Sequence, residues 1–237
     1  MEIKAIIELA LGALVGKVEP FYLTGGTALA NFHFQHRLSV DLDFFAPAID
    51  EEAVARIITA LNSEFVVTAE LVKRVDRTGR AMLRIFVLDL SEHQLKVDFV
   101  QDPASLSRPV QVINGVPVMA LRDIYIHKLL AISGVVPRLD EIGRIMPTGR
   151  QEAKDLYDLY CLSTLHRPLA DFIAEAMPEA NIRAIVRWYR TFDRMDIITA
   201  LLELIDYSGQ GVLSVDTRAV LGHFEKQIEA LIRREIG

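Results

Sequence analysis

Leu23-Thr24-Gly25-Gly26-Thr27-Ala28-Leu29-Ala30, then His36-Arg37-Leu38-Ser39, then Asp41-Leu42-Asp43-Phe44-Phe45, is the stretch on which the reading of the fold turns. Phe21-Tyr22-Leu23 predicts a short apolar strand. Gly25-Gly26 breaks it and opens a helix expected from Thr27 to about Phe34. A second strand is expected over Asp41 to Phe45, ending at Pro47. Two glycines after a strand let the backbone turn tightly and approach a ligand closely. A helix starting at such a turn points free N–H groups into it, which suits phosphate. Residues i and i+2 of a strand share a face, so Asp41 and Asp43 project together while Leu42 and Phe44 face the core.

Asp98 repeats the pattern in Leu95-Lys96-Val97-Asp98-Phe99. An acid between Val97 and Phe99 faces away from both, and if the two strands are neighbours three carboxylates converge. Carboxylates gathered at one site repel unless protonated or bridged by a cation. Oxygen-only ligands favour Mg2+ or Mn2+ over zinc. Two such ions about 3.5–4 Å apart can clamp the attacking and leaving oxygens of a phosphoryl displacement. A lone Asp-x-Asp usually marks a solvated strand end, and a lone Gly-Gly only a turn. The combination of strand, Gly-Gly-Thr, helix, Asp-x-Asp strand and third strand-borne acid favours catalysis.

Outward from this core the pattern changes once. From Phe21 to about Val118 short β-rich runs alternate with helical ones. Asp50-Glu51-Glu52 opens a helix through Leu61, with acids where the helix dipole favours them. Strands are expected over 65–74, 81–88 and 94–100, and an edge strand over 110–118 interrupted by Asn114-Gly115. From Met119 nearly everything reads helical: 121–132, 150–165, 169–176, 181–193, 197–205 and 216–234, with a long exposed loop at 136–148. A first helix is expected over Ile3 to Leu14. The expected fold is α+β, a mixed sheet with flanking helices over residues 1–118 and a helical domain over 119–237 that packs on the sheet and shares one cleft with it.

With 51% hydrophobic and 24% charged residues the 237-residue chain has the balance of an ordinary globule. Charges interrupt its apolar stretches before they reach a membrane-spanning length, and the N-terminus lacks the basic region of a signal peptide. The single cysteine, Cys161, lies in an apolar helical pattern and reads as a small buried hydrophobe, so no internal disulfide framework is possible and a cytoplasmic location is the expectation. Trp188 and Tyr189 read as core. A net charge of −6 argues against non-specific coating by nucleic acid and leaves room for a local basic face. The densest such patch is Lys73, Arg74, Arg77, Arg80 and Arg84 on one hairpin, equally readable as an edge strand guarded against aggregation or as a surface for acceptor RNA.

These residues resemble the nucleotidyltransferase AbiEii/AbiGii toxin family of the polymerase-β-like nucleotidyltransferase superfamily. The resemblance rests on the opening stretch, Lys96-Val97-Asp98, the helix from Leu121 to Leu130 with Lys128, and Arg150 to Leu159 with Lys154-Asp155-Leu156-Tyr157-Asp158-Leu159, and covers about 20 to 165. It departs at Gln35, where the family usually has glycine, and at Thr27, where the wider superfamily often has serine. The resemblance implies a catalytic α/β domain followed by a helical domain. It also implies a toxin of a toxin–antitoxin or abortive-infection system, with a cognate antitoxin as partner. The expected reaction moves a nucleoside monophosphate from an NTP to a hydroxyl, with RNA, and in particular the tRNA 3′ end, as acceptor. A small-molecule or protein acceptor, or a non-catalytic binding protein on the same fold, are the alternatives.

The expected site follows. Asp41, Asp43 and Asp98 hold metal and act in catalysis. Gly25, Gly26, Thr27, Arg37 and Ser39 bind nucleotide, Thr27 through its hydroxyl and Arg37 through a fork suited to phosphate. Lys128 lies on an apolar helix face and either snorkels or reaches into the cleft; the resemblance favours a phosphate contact. Asp155 and Asp158 share a helical face, and the family match makes Asp155 a further candidate active-site acid.

Overall fold

The computed structural model describes residues 2–76, 82–102, 106–134, 138–139, 145–146, 149–206 and 214–236. The chain forms two compact units, divided between Ile124 and Tyr125.

The first unit is built on a mixed seven-stranded sheet, with strands β1 (Tyr22–Thr24), β2 (Asp41–Ala46), β3 (Glu70–Val75), β4 (Leu83–Asp89), β5 (Gln94–Gln101), β6 (Gln111–Ile113) and β7 (Val116–Val118) in the order β3-β4-β5-β2-β1-β7-β6. Asn114 and Gly115, both at positive φ, turn the expected single edge strand into the β6–β7 hairpin. The central pair β2–β5 is parallel and its neighbours β1–β2 and β4–β5 are antiparallel.

Alternation along β2 and β5 divides the sheet into two faces. Leu42, Phe44 and Ala46 are buried with Leu95, Val97 and Phe99, while Asp41, Asp43, Phe45, Lys96, Asp98 and Val100 are half-buried on the other side. The core face is aromatic. Phe99 stacks on Phe44 with ring centroids 5.7 Å apart and meets Phe21 edge-on at 5.1 Å.

Helices α1 (Ile3–Ala13) and α3 (Glu51–Phe65) pack together, burying Ile6, Ile7, Ala10 and Leu11 from one and Ala53, Val54, Ile57, Ile58 and Leu61 from the other. Asp50 caps α3 by accepting from the N–H groups of Glu52 and Ala53. α3 runs to Phe65, and Val66 at φ 54° closes it in the left-handed conformation, so β3 starts at Glu70, five residues later than its β-branched sequence suggests. The helix after β1 starts at Gly25. It is one α turn, α2 (Gly25–Ala28), that widens into a π turn over Leu29–His33.

The second unit is helical. It takes α4 (Leu121–Ser133) from Tyr125 onward, then α5 (Ala153–Leu165), α6 (Leu169–Ala176), α7 (Glu179–Thr191), α8 (Arg194–Leu202) and α9 (Thr217–Ile236). Its core gathers Leu156, Leu159, Phe172, Ile185, Trp188, Tyr189, Leu201 and Phe224, all nearly inaccessible to solvent. Tyr125 stacks on Phe172 at 4.0 Å. Within the expected loop at 136–148, Arg138–Leu139 and Ile145–Met146 pair as two short antiparallel strands, β8 and β9. Cys161 is a buried free thiol. Among the described residues no helix is long and apolar enough to cross a membrane.

Candidate active site

Strand register builds the site. In the parallel β2–β5 ladder Asp43 sits opposite Asp98, and Asp41 sits opposite Lys96. Across the other edge of β2, Thr24 pairs with Asp43. Paired positions in a sheet direct their side chains to one face about 5 Å apart, so three acids and one lysine share the half-buried face. Gly25 follows Thr24 at φ +70°, and a Cβ added there would lie 2.3 Å from Asp43 Oδ2. Glycine is what admits the carboxylate against the backbone turn.

Lys96 completes the arrangement. Its Nζ donates to Asp98 Oδ2 at 2.5 Å. Burial works against the lysine's charge, but Asp98, Asp41 and Asp43 outweigh it and raise its pKa above the ordinary value. Asp98 is also raised: burial dominates, and the repulsion of Asp41 adds to it against the pull of Lys96 and Lys73. Its second oxygen, Oδ1, is buried without a hydrogen-bond partner.

That orphaned oxygen, next to two carboxylates that carry more negative charge than Lys96 neutralises, fits a hard divalent cation. Among the described residues no three His, Cys, Asp or Glu side chains already stand in ligating geometry. Asp98 Oδ2 turns to Lys96, as mutual repulsion among the acids favours. The alternation of β5 carried the signal for Lys96, since a residue two before Asp98 must share its face, but it was read only as part of the strand.

Thr27 and Arg37 depart from expectation. Thr27 is fully buried, its Oγ1 3.0 Å from Ser39 Oγ and donating to the backbone carbonyl of Asp41. A hydroxyl has one proton, so this one ties α2 to the start of β2 and is not offered to a ligand. Arg37 is 4% exposed. Its Nη1 donates to the Leu38 carbonyl at 3.0 Å, and its Nη2 lies where a Cβ on Gly26 would come within 2.5 Å of it. Both side chains brace the glycine turn from behind. Ser39, half-buried, is the exposed member of this brace. Gln35, in place of the family's usual glycine, takes φ 52°, the left-handed conformation glycine adopts without strain.

The basic hairpin separates by face. Lys73 pairs with Ile85, and Ile85 with Asp98, so Lys73 is on the acid-bearing face. Arg84 pairs with Phe99 and is on the core face, 1% exposed, with Nη2 2.5 Å from Glu51 and 2.6 Å from Asp76. Those carboxylates raise its pKa against the burial that opposes its charge. It pins α3 to the sheet and corrects the expectation of an RNA contact there. Arg74 is exposed and paired with Asp76 at 2.5 Å and Glu51 at 3.6 Å. Arg77 and Arg80 lie outside the described residues.

In the second unit Lys128 is buried between two fully buried acids, its Nζ 2.8 Å from Asp155 Oδ1 and 2.7 Å from Asp158 Oδ2. Arg150 Nε donates to Asp155 Oδ2 at 2.5 Å, and its Nη2 to Oδ1 at 2.8 Å. Burial would raise Asp155, but Lys128 and Arg150 overcome it and hold the carboxyl below its ordinary range. Lys128 and Asp155 are therefore engaged with each other at the heart of the unit. This replaces the expected exposed phosphate contact and solvent-facing acid with an ion cluster between α4 and α5.

Carboxylates from two adjacent parallel strands, gathered beside a glycine turn, define a phosphoryl- or nucleotidyl-transferring class of enzyme. The chain belongs to the AbiEii family, the nucleotidyl transferase AbiEii toxins of type IV toxin–antitoxin systems, whose family model matches residues 10–230; it is a nucleotidyltransferase. No curated protein matches it. Its fold is similar to that of an H. pylori protein provisionally described as a nucleotidyltransferase, with a TM-score of 0.60 and 18% identity over 99% of this chain and 96% of that one. JHP933 from Helicobacter pylori is similar at a TM-score of 0.57, also 18% identical, with the same coverage of both chains.

Proposed function

We propose that the chain is a metal-dependent transferase that moves a nucleoside monophosphate from an NTP to an acceptor hydroxyl, with RNA, and by family analogy the tRNA 3′ end, as acceptor. The observation that carries this reading is the ladder of Asp43 opposite Asp98, with Asp41 on the same face. Asp41, Asp43 and Asp98 would hold magnesium or manganese, which when bound supplies charge neutralisation for the triphosphate and polarises the acceptor oxygen. Asp98 Oδ1 is the buried acceptor available to take the hydroxyl proton. The acceptor oxygen bonds to the α-phosphorus, the bond to the bridging oxygen breaks, and pyrophosphate leaves.

Gly25, Gly26 and Ser39 present the turn to the nucleotide, and Thr27 and Arg37 keep that turn in place from behind. Lys73, exposed on the acid-bearing face, is positioned for an acceptor phosphate. The family's type IV description supports an antitoxin as genetic partner, and cytoplasmic action follows from the proposed substrates.

Calorimetry with each NTP is the test. Binding should require Mg2+ or Mn2+ and vanish in excess chelator. Equal affinity in chelator would remove the metal from the site.

A further inference from the structure

Helix α7 is amphipathic. Ile185, Trp188 and Tyr189 are buried on one side. Arg183, Arg187 and Arg190 follow one another at spacings of four and three, which sets them in a narrow arc on the opposite side. The base under this arc is rigid. Trp188 Nε1 donates to the Arg150 carbonyl at 2.8 Å, and the Tyr189 hydroxyl lies 2.9 Å from Glu225 Oε2.

Arg183 pairs with Glu179, one turn back. Among the described residues Arg187 and Arg190 have no carboxylate partner, and Arg190 is exposed while Arg187 is half-exposed. Unpaired arginines in register are unexpected on a chain of net charge −6, where acids are abundant enough to pair them.

A guanidinium fork fits phosphate oxygens in a bidentate manner. The side chains step about 6 Å and then about 4.5 Å along the helix axis, a ladder that can follow successive phosphates. A bilayer is a poorer match, because an interfacial helix needs large apolar side chains beside its cations, and α7 carries no exposed one. We propose that the Arg183–Arg187–Arg190 stripe is a docking surface for the phosphate backbone of RNA. It deepens the reading of this enzyme as an RNA nucleotidyltransferase and rests on it.

The test compares the full-length protein with two triple variants, Arg183, Arg187 and Arg190 all changed to Gln or all to Lys. The probe is a fluorescein-labelled RNA hairpin with a single-stranded 3′ end, titrated without NTP at several salt concentrations. Gln and Lys keep helix propensity close to that of Arg, and a melting curve checks the fold. Each lost phosphate contact lowers the slope of log affinity against log salt by about 0.7–0.9, so the Gln variant should lose about two in slope. Its affinity at low salt should fall at least tenfold, while the Lys variant keeps most of the slope. An unchanged slope in the Gln variant overturns the stripe. So does wild-type binding to phosphatidylserine vesicles but not to the RNA. Because the titration contains no NTP, it separates docking from chemistry. Transfer to RNA with an unchanged slope sinks the stripe alone, whereas stripe-dependent binding without transfer counts against the catalytic reading.

Discussion

Replacing Lys128 with Met tests the buried ion cluster of the second unit. The ammonium lies 2.8 Å from Asp155 and 2.7 Å from Asp158, both acids fully buried and the lysine side chain 7% exposed. Methionine fills the stem's volume but removes the charge. Breaking a buried pair from one side costs about 3–5 kcal/mol, since the remaining carboxylate has lost its compensation. Arg150 stays with Asp155, so the lower end applies. For a chain of this size about 3 kcal/mol corresponds to a melting temperature lower by roughly 6–12 °C.

The pH dependence follows from the sign of the shift. Asp155 is held below its ordinary pKa in the fold, so its contribution is full above the ordinary carboxylate range and is lost as pH falls through the depressed value. In Lys128→Met that depression weakens, and protonation relieves the buried charge earlier. The gap between wild type and variant should therefore be widest near neutral pH and narrow towards pH 4. Thermal and urea melts across pH measure it. A variant within about 0.5 kcal/mol of wild type at neutral pH, the range of ordinary surface substitutions, would refute the cluster as the structure describes it.

Gly25→Ala should lose transfer and about 1–2 kcal/mol of stability, because alanine at φ +70° is strained and its Cβ would fall on the Asp43 carboxylate. Gly12→Ala, in open space on α1, should gain about 0.5–1 kcal/mol in the same melts. Thr27→Val should cost about 1–3 kcal/mol by leaving the buried Asp41 carbonyl without its donor, whereas Thr27→Ser should stay near wild type; equal melting of the two would dissolve the clamp. Asp98→Asn should abolish transfer yet melt at or above the wild-type temperature near neutral pH, since burial outweighs Lys96 and raises the carboxyl's pKa, a contribution that favours the fold at low pH and fades as pH rises through that value.

The acid-bearing face was legible because strand alternation is local. Asp41 and Asp43 had to share a side, and Asp98 had to oppose Val97 and Phe99. Whether the two strands adjoined was not legible, since pairing is decided by topology; the parallel β2–β5 ladder supplies it. The same alternation separates Arg84 from Lys73, but the parity was obscured by the bulge between Leu71 and Lys73. Charge alone then grouped them as one patch. Thr27 and Arg37 were misplaced for another reason. A hydroxyl beside a glycine turn can face the ligand or the strand behind it, and only packing chooses. Lys128 was correctly placed on an apolar helix face, but its partners Asp155 and Asp158 come from a helix nearly thirty residues later, beyond any local pattern.

The central claim is that Asp41 and Asp43 carry out nucleotidyl transfer. It is tested most directly by incubating wild type, Asp41→Asn and Asp43→Asn with each labelled NTP, Mg2+ and total cellular RNA, and separating the products on a gel. Wild type should place label on RNA from at least one NTP. Both variants should leave the RNA unlabelled while melting no lower than wild type, since each removes one of several crowded negative charges. Label transferred by either variant within a few-fold of wild type would contradict the account.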